Sequence, residues 1–224
     1  MLPLDKVTEK LFSSKYEVLV FDGSNIPKDM YLSYCHLRFR FIKSVGWDVP
    51  LNNSLFIETD KFDNLKTTTY ILIVRKNPKS KSDMVVTGIR ILPTIYPYQL
   101  EEKTYKFITD GVSLPKSKSI AEANRWCGSF NMIEDIAMTT QALMTKMREF
   151  CLGEVYEKVI GVVDAKLTES MDRIGADVLS PSGVKHPFDM KQDFIILSLD
   201  LERCFSGAMN ARLEEKRAAR KKVA

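Results

Sequence analysis

Two apolar runs of strand-forming residues, Tyr70 to Arg75 (YILIVR) and Met84 to Leu92 (MVVTGIRIL), flank a polar stretch that begins Lys76-Asn-Pro78 and ends at Asp83. Val, Ile and Tyr favour strands, and Asn-Pro with Ser and Asp favours a turn, so the segment is predicted to be an antiparallel hairpin. The second half reads differently. Glu157 to Val163 (EKVIGVV) is a buried-type strand, Leu167 to Ile174 a short helix ended by Gly175, and Asp193 to Leu199 (DFIILSL) a last strand before a C-terminal helix. A hairpin followed by strand–helix–strand alternation predicts an α/β three-layer sandwich around a central, mixed, twisted sheet.

The remaining elements fit that frame. Tyr16 to Phe21 is predicted as a strand, Asp22 to Asn25 as a turn, and Pro27 opens a helix to about Val45. Its apolar stripe is Met30, Tyr34, Leu37, Phe41 and Val45; Arg38 lies beside the stripe, where it can border a cleft. Gly46 to Lys66 is a long loop. Val86, Gly88, Arg90 and Leu92 are expected on one strand face, with Gly88 marking a bulge or a close backbone approach. Ser119 to Trp126 is a further strand. Asn131 and Glu134 form a capping box for a helix that buries Ile133, Ile136, Ala137, Leu143, Met144, Met147, Phe150 and Cys151.

With 224 residues, 45% of them apolar, the chain is read as one domain, 1–224, with a packed core. No run reaches the roughly 20 apolar residues of a membrane span. Asp5 and Glu9 interrupt any basic-then-apolar leader pattern, so a cytoplasmic protein is expected. Cys35, Cys127, Cys151 and Cys204 form no C-x-x-C, and His36 and His186 are the two histidines, which argues for free thiols and against a zinc site. Net charge is +4, but from Arg212 onward six basic residues face two acidic ones, leaving 27 of each sign elsewhere. The excess therefore sits in a basic C-terminal helix or tail, about 205–224. A duplex-binding domain carries its basic face in the body, so a non-enzymatic nucleic-acid-binding role is the weaker reading.

Glu58, Asp60 and Asp63 lie within six positions, in a loop without the EF-hand pattern, and no metal is expected there. Arg38, Arg90 and Arg125 sit on or beside regular elements, where a lone buried charge is costly; Asp60, Asp63 and Glu122 are the natural partners. Such a set either ties the loop to the sheet or lines a mixed-charge cleft for a zwitterion, and the two are compatible. Glu122, at a strand end before a helix, is the candidate general base. Burial would raise its pKa and Arg125 would lower it, and the sequence leaves that balance open. Trp47 and Trp126 line an apolar site or belong to the core. Met132, Met138, Met144 and Met147 fit a core or a pocket for a flexible chain.

In order along the chain stand Leu37-Arg38 with Trp47-Asp48-Val49, Asp60-Lys-Phe-Asp63-Asn64 before Thr69-Tyr70, Gly88-Ile-Arg90-Ile-Leu-Pro93-Thr94, and Glu122-Ala-Asn-Arg125-Trp126. Together these four blocks resemble the N-acyl-L-homoserine lactone synthases, the autoinducer synthase family, over about Tyr31 to Leu201. The departures are Ile42 and Trp126 where the family usually has phenylalanine, Asn124 where it has serine, and one residue fewer between Arg38 and Trp47. The resemblance implies an N-acetyltransferase-like fold and an acyltransferase with S-adenosyl-methionine as substrate and no other cofactor. The second substrate is an acyl group on acyl carrier protein or CoA. It assigns the base to Glu122, the holding of positive charge to Asp60 and Asp63, and ordering of the loop and the carboxylate end to Arg38 and Arg125. It also has Arg90 tying the loop to the sheet, and Trp47, Trp126 and Gly161 lining the substrate site. Gly161 stands where several relatives that favour 3-oxo chains have threonine, so an unsubstituted acyl chain is expected. Lys146, Arg148 and Arg173 are candidate docking charges for an acidic carrier. The rival enzyme reading is a general acyl-CoA N-acyltransferase, whose pyrophosphate loop Arg125-Trp-Cys-Gly128-Ser-Phe130 begins but does not complete.

Overall fold

The computed structural model describes residues 6–45, 51–128, 135–168, 176–180, 184–186 and 189–203. Helix α1 (Lys6–Lys15) leads into β1 (Tyr16–Asp22) and α2 (Lys28–Val45). The loop then gives way to β2 (Thr69–Arg75) and β3 (Val85–Pro93), the expected hairpin. A short α3 (Lys106–Thr109) precedes β4 (Ile120–Gly128), α4 (Ile136–Gly153) and β5 (Lys158–Asp164). Two short strands, β6 (Asp177–Val178) and β7 (Val184–His186), flank the long β8 (Asp189–Asp200).

The eight strands form one sheet in the order β1-β2-β3-β4-β5-β8-β6, with β7 also on β8. Every pair is antiparallel except β4–β5. That pair must be parallel because α4 carries the chain back across the sheet between them. Helix α2 covers one face, where Tyr34 and Leu37 pack on Tyr70, Leu72, Val85 and Cys127. Helices α1 and α4 cover the other, where Phe12, Leu143, Met147 and Cys151 pack on Ile71, Ile73, Ile89 and Ile91. The mixed three-layer sandwich expected from the sequence is present. Each fully buried large apolar side chain here contributes about 1.5–3 kcal/mol.

Three details correct the sequence reading. Val86 joins Ile89 and Ile91, not Arg90 and Leu92, because a register shift between Ile73 and Val74 inserts a residue opposite β2. Ile136 and Ala137 at the start of α4 are exposed, Ile136 on the cavity rather than in the core; Met144 and Phe150 are half-buried. Helix α1 and strands β6 and β7 were not expected. Among the described side chains of α1, Phe12 is the one in the core, and strands of two or three residues are too short for periodicity to register. The capping box Asn131–Glu134, Ile133, most of the Leu167–Ile174 helix with Gly175, Cys204 and the basic tail lie outside the described residues.

Candidate active site

Strands β4 and β5 pair only from Ile120 to Glu122 and from Lys158 to Ile160. Beyond Glu122 they part, and the gap opens into a cavity of about 540 Å³. Its polar end is formed by Arg38, Gln99, Tyr105, Glu122, Asn124 and Arg125. Its apolar end is formed by Val86, Ile89, Met144, Met147, Val159 and Leu197. A mostly apolar cleft of this volume with a few convergent polar groups is the usual form of a small-molecule site.

The polar end is built on a defect in the sheet. Gly88 faces Cys127 and Arg90 faces Asn124, so Ile89 alone opposes both Arg125 and Trp126. Arg125 takes up the extra residue with a φ of 54°, left-handed backbone that costs a side-chain-bearing residue about 1–2 kcal/mol. A bulge re-aims the side chains around it. Here Arg125 turns toward the loop and Trp126 stands 41% exposed on the cavity wall.

Three arginines and three carboxylates interlock beneath this bulge. Arg90, fully buried, uses all five of its N–H donors. Nε binds Asn124 Oδ1 at 2.8 Å, Nη1 binds Asp60 Oδ1 at 2.6 Å and Asp63 Oδ1 at 2.8 Å, and Nη2 binds Asp60 Oδ2 at 2.8 Å and Gln99 Oε1 at 3.0 Å. Arg38 donates from Nε to Glu58 and from Nη1 to Asp63 Oδ1 at 2.6 Å. Arg125 Nη2 reaches Asp60 Oδ2 at 3.0 Å and Glu58 Oε1 at 3.1 Å. The Tyr70 hydroxyl donates to the Asp63 carbonyl at 2.5 Å and to Asp63 Oδ1 at 2.9 Å. The formal charges of the six residues cancel. Burial pushes the Asp60 carboxyl up, but the hydrogen bonds and charge of Arg90, then Arg125 and Arg38, outweigh it and hold it well below the usual carboxylate range. Asp63 is likewise held down against its burial by Arg38 and Arg90.

Glu122 stands apart from that network. It is buried at the root of the splay, and its Oε2 accepts the Gln99 backbone N–H at 2.7 Å. Burial raises its pKa from 4.5 to about 7; the Gln99 N–H, Arg90, Asn124 and Arg125 pull it down by less. The balance left open by the sequence is thus decided by desolvation. Two buried donors on the cavity wall, Arg38 Nη2 and Arg125 Nε, have no hydrogen-bond acceptor among the described residues. The polar end therefore offers a carboxylate that changes charge near neutrality beside guanidinium N–H groups suited to an anion.

Arg38, Arg90, Glu122, Arg125 and Trp126 are brought together as the sequence suggested. Asp60 and Asp63 are adjacent, but they face the arginines and not the cavity. Gly161 lines the cavity on β5, and a Cβ there would lie 2.7 Å from the Ala123 carbonyl oxygen. Lys146 and Arg148 lie on α4, Lys146 paired with Glu149 at 3.3 Å. Trp47, Arg173, Ser129 and Phe130 lie outside the described residues. Among the described residues the thiols of Cys35, Cys127 and Cys151 are free and buried, each pushed up to about 12 by burial. Glu58 was noted in the acidic loop but not as a site residue. Gln99 and Tyr105 carried no signal, because residues in isolated 3-10 turns of three residues are recruited by tertiary proximity alone.

A mixed sheet between helices, opened between two parallel strands over a buried carboxylate, defines an N-acetyltransferase-like α/β protein. The same fold is seen in the crystal structure of the acyl-homoserine lactone synthase LasI, at a TM-score of 0.66 with 23% identity over 83% of this chain and 90% of that one. It is seen again in BjaI, a CoA-dependent acyl-homoserine lactone synthase solved with SAM and isopentyl-CoA, at a TM-score of 0.70 with 18% identity over 87% and 89%. Among curated proteins, an acyl-homoserine-lactone synthase of Ralstonia nicotianae is 26% identical over 112 residues, 49% of this chain and 51% of that protein. The chain spans about half the length of the curated relatives it matches. The profile of the autoinducer synthase family matches residues 23–204, and the chain belongs to that family.

Proposed function

We propose that this protein makes an N-acyl-L-homoserine lactone from S-adenosyl-methionine and an acyl thioester carried on acyl carrier protein or CoA. The reading is carried by one observation: a single cavity holds, at one end, a buried carboxylate with a pKa of about 7 beside two arginines with open N–H donors, and an apolar sleeve at the other. The arginines receive the carboxylate of S-adenosyl-methionine, and the sleeve takes the acyl chain. Family membership and the named activity of the relatives support the same assignment.

In the first step the α-amine attacks the thioester carbonyl. The C–N bond forms, the C–S bond breaks, and the carrier thiol leaves with the proton that Glu122 takes from the amine directly or through water. Backbone N–H groups at the β4 bulge would bind the oxyanion. In the second step a carboxylate oxygen attacks the carbon bound to the sulfonium. The lactone C–O bond forms and neutral 5'-methylthioadenosine leaves, so no further proton is needed. Arg38 and Arg125 hold the carboxylate, Arg90 ties the acidic loop to the sheet, and Asp60 and Asp63 act through the arginines they hold. Trp47, Trp126 and Gly161 shape the cleft. Lys146, Arg148 and Arg173 meet the acidic carrier.

Incubation of the purified protein with S-adenosyl-methionine and a panel of acyl thioesters, followed by mass spectrometry, tests this directly. A lactone released with equimolar methylthioadenosine is expected, and Glu122→Gln should reduce its formation at least 100-fold. Acylation of simple amines by acetyl-CoA, without methylthioadenosine release, would replace this reading with a general N-acyltransferase.

A further inference from the structure

The bulge that aims Arg125 is held from outside the sheet. Tyr34, fully buried on α2, donates its hydroxyl to the Arg125 carbonyl oxygen at 2.6 Å. Arg125 is the residue with left-handed backbone, so the bond falls on the strained peptide itself. The tyrosine ring has a seat because position 88 has no side chain. A Cβ on Gly88 would lie 2.7 Å from Tyr34 Cε2 and 2.6 Å from Leu72 Cδ2. The ring is pinned from two more sides, edge-on to Tyr70 at 5.7 Å between centroids and with the Arg38 guanidinium carbon 5.5 Å from its own. One turn of α2 thus carries both Arg38, which binds Glu58 and Asp63, and the hydroxyl that fixes the backbone of Arg125.

We propose that Tyr34, seated over Gly88, is a positioning residue for substrate binding: its hydroxyl holds the β4 bulge so that Arg125 presents its open N–H to the substrate carboxylate. The proposal rests on the substrate reading above. Tyr34 touches no substrate. Its effect passes through the Arg125 peptide, and it acts on S-adenosyl-methionine rather than on the acyl donor.

The test is Tyr34→Phe in the full chain, which keeps the ring in its seat and removes one hydroxyl. The dissociation constant for S-adenosyl-methionine should rise about three- to ten-fold, the range one hydrogen bond supplies, while KM for the acyl thioester stays put. Amide hydrogen exchange at Arg125 to Cys127 should quicken while that of β2 does not. Unchanged affinity with unchanged exchange would overturn the proposal, whatever the melting temperature does. The double variant Tyr34→Leu/Gly88→Ala separates packing from the hydroxyl. Refilling the seat should recover much of the melting temperature but not the affinity, and recovery of both would count against the idea. If the wild-type protein binds no S-adenosyl-methionine, the substrate reading falls, and exchange at the bulge alone decides: quicker exchange in Tyr34→Phe supports the lock, and equal exchange rejects it.

Discussion

Glu122 is deprotonated in water at pH 7, yet burial lifts its pKa from 4.5 to about 7. Between those values the folded state binds more protons than the unfolded one, so stability falls as pH rises through that window. At about 1.4 kcal/mol for each pH unit the cost above pH 7 is about 3 kcal/mol. Glu122→Gln should therefore unfold at a higher temperature than wild type at pH 8 and at a similar one at pH 4.5, while losing activity at both; calorimetry at the two pH values checks this. For the wild type, turnover should rise with pH through about 7 as the base ionises, a limb that a pH–rate profile reads. Asp63 behaves oppositely. Its folded pKa is depressed, so its contribution is present above the unfolded value of 3.8 and is lost as pH falls through the folded one. Asp63→Asn leaves Arg38 and Arg90 short of a buried charge partner and should cost about 3–5 kcal/mol in urea denaturation.

At the scale of elements, the cleft exists because β4 and β5 stop pairing after Glu122, and Gly161 sets how close they lie at that point. The atom that an added Cβ would meet is a backbone oxygen, not the end of a flexible side chain, so the strands themselves must give way. Gly161→Ala is expected to lower stability by about 1–3 kcal/mol and to change the preferred acyl group; denaturation and a competition assay across chain types measure the two effects. Helix α4 is the wall that adapts. Met144 and Met147 give the cavity flexible, polarisable contacts, whereas Ile136 and Ala137 at its exposed first turn play no part in the core.

For the molecule as a whole, the residues lining the described site run from Arg38 to Leu199, and the family match ends at residue 204. Truncation after Arg203 should leave lactone formation within about two-fold, because the family match covers almost nothing beyond that point; the mass-spectrometric assay on the truncated chain checks it. Much of this molecule was legible in the sequence. Local patterns, a run of strand-forming apolar residues from Tyr70 to Arg75 and a three-to-four spacing in Tyr34, Leu37 and Phe41, determined the strands, the main helices and hence the mixed α/β class. The spacing of Arg38, Asp60, Asp63, Arg90, Glu122 and Arg125 determined the family and the charged set. Glu122 was already the candidate base in the sequence; only the tertiary structure decided that its pKa is raised while those of Asp60 and Asp63 are held down. Asp60, Asp63 and Glu122 are chemically alike, and the register of β3 on β4 turns arginines onto the first two while burying the third where desolvation outweighs its partners. The contact of Tyr34 with Arg125 was decided in the same way, since a hydroxyl on α2 meets a carbonyl on β4 only once both have packed on the sheet. Periodicity and spacing are properties of neighbours along the chain. Desolvation and partner choice are properties of neighbours in space, and those are set only when the layers close.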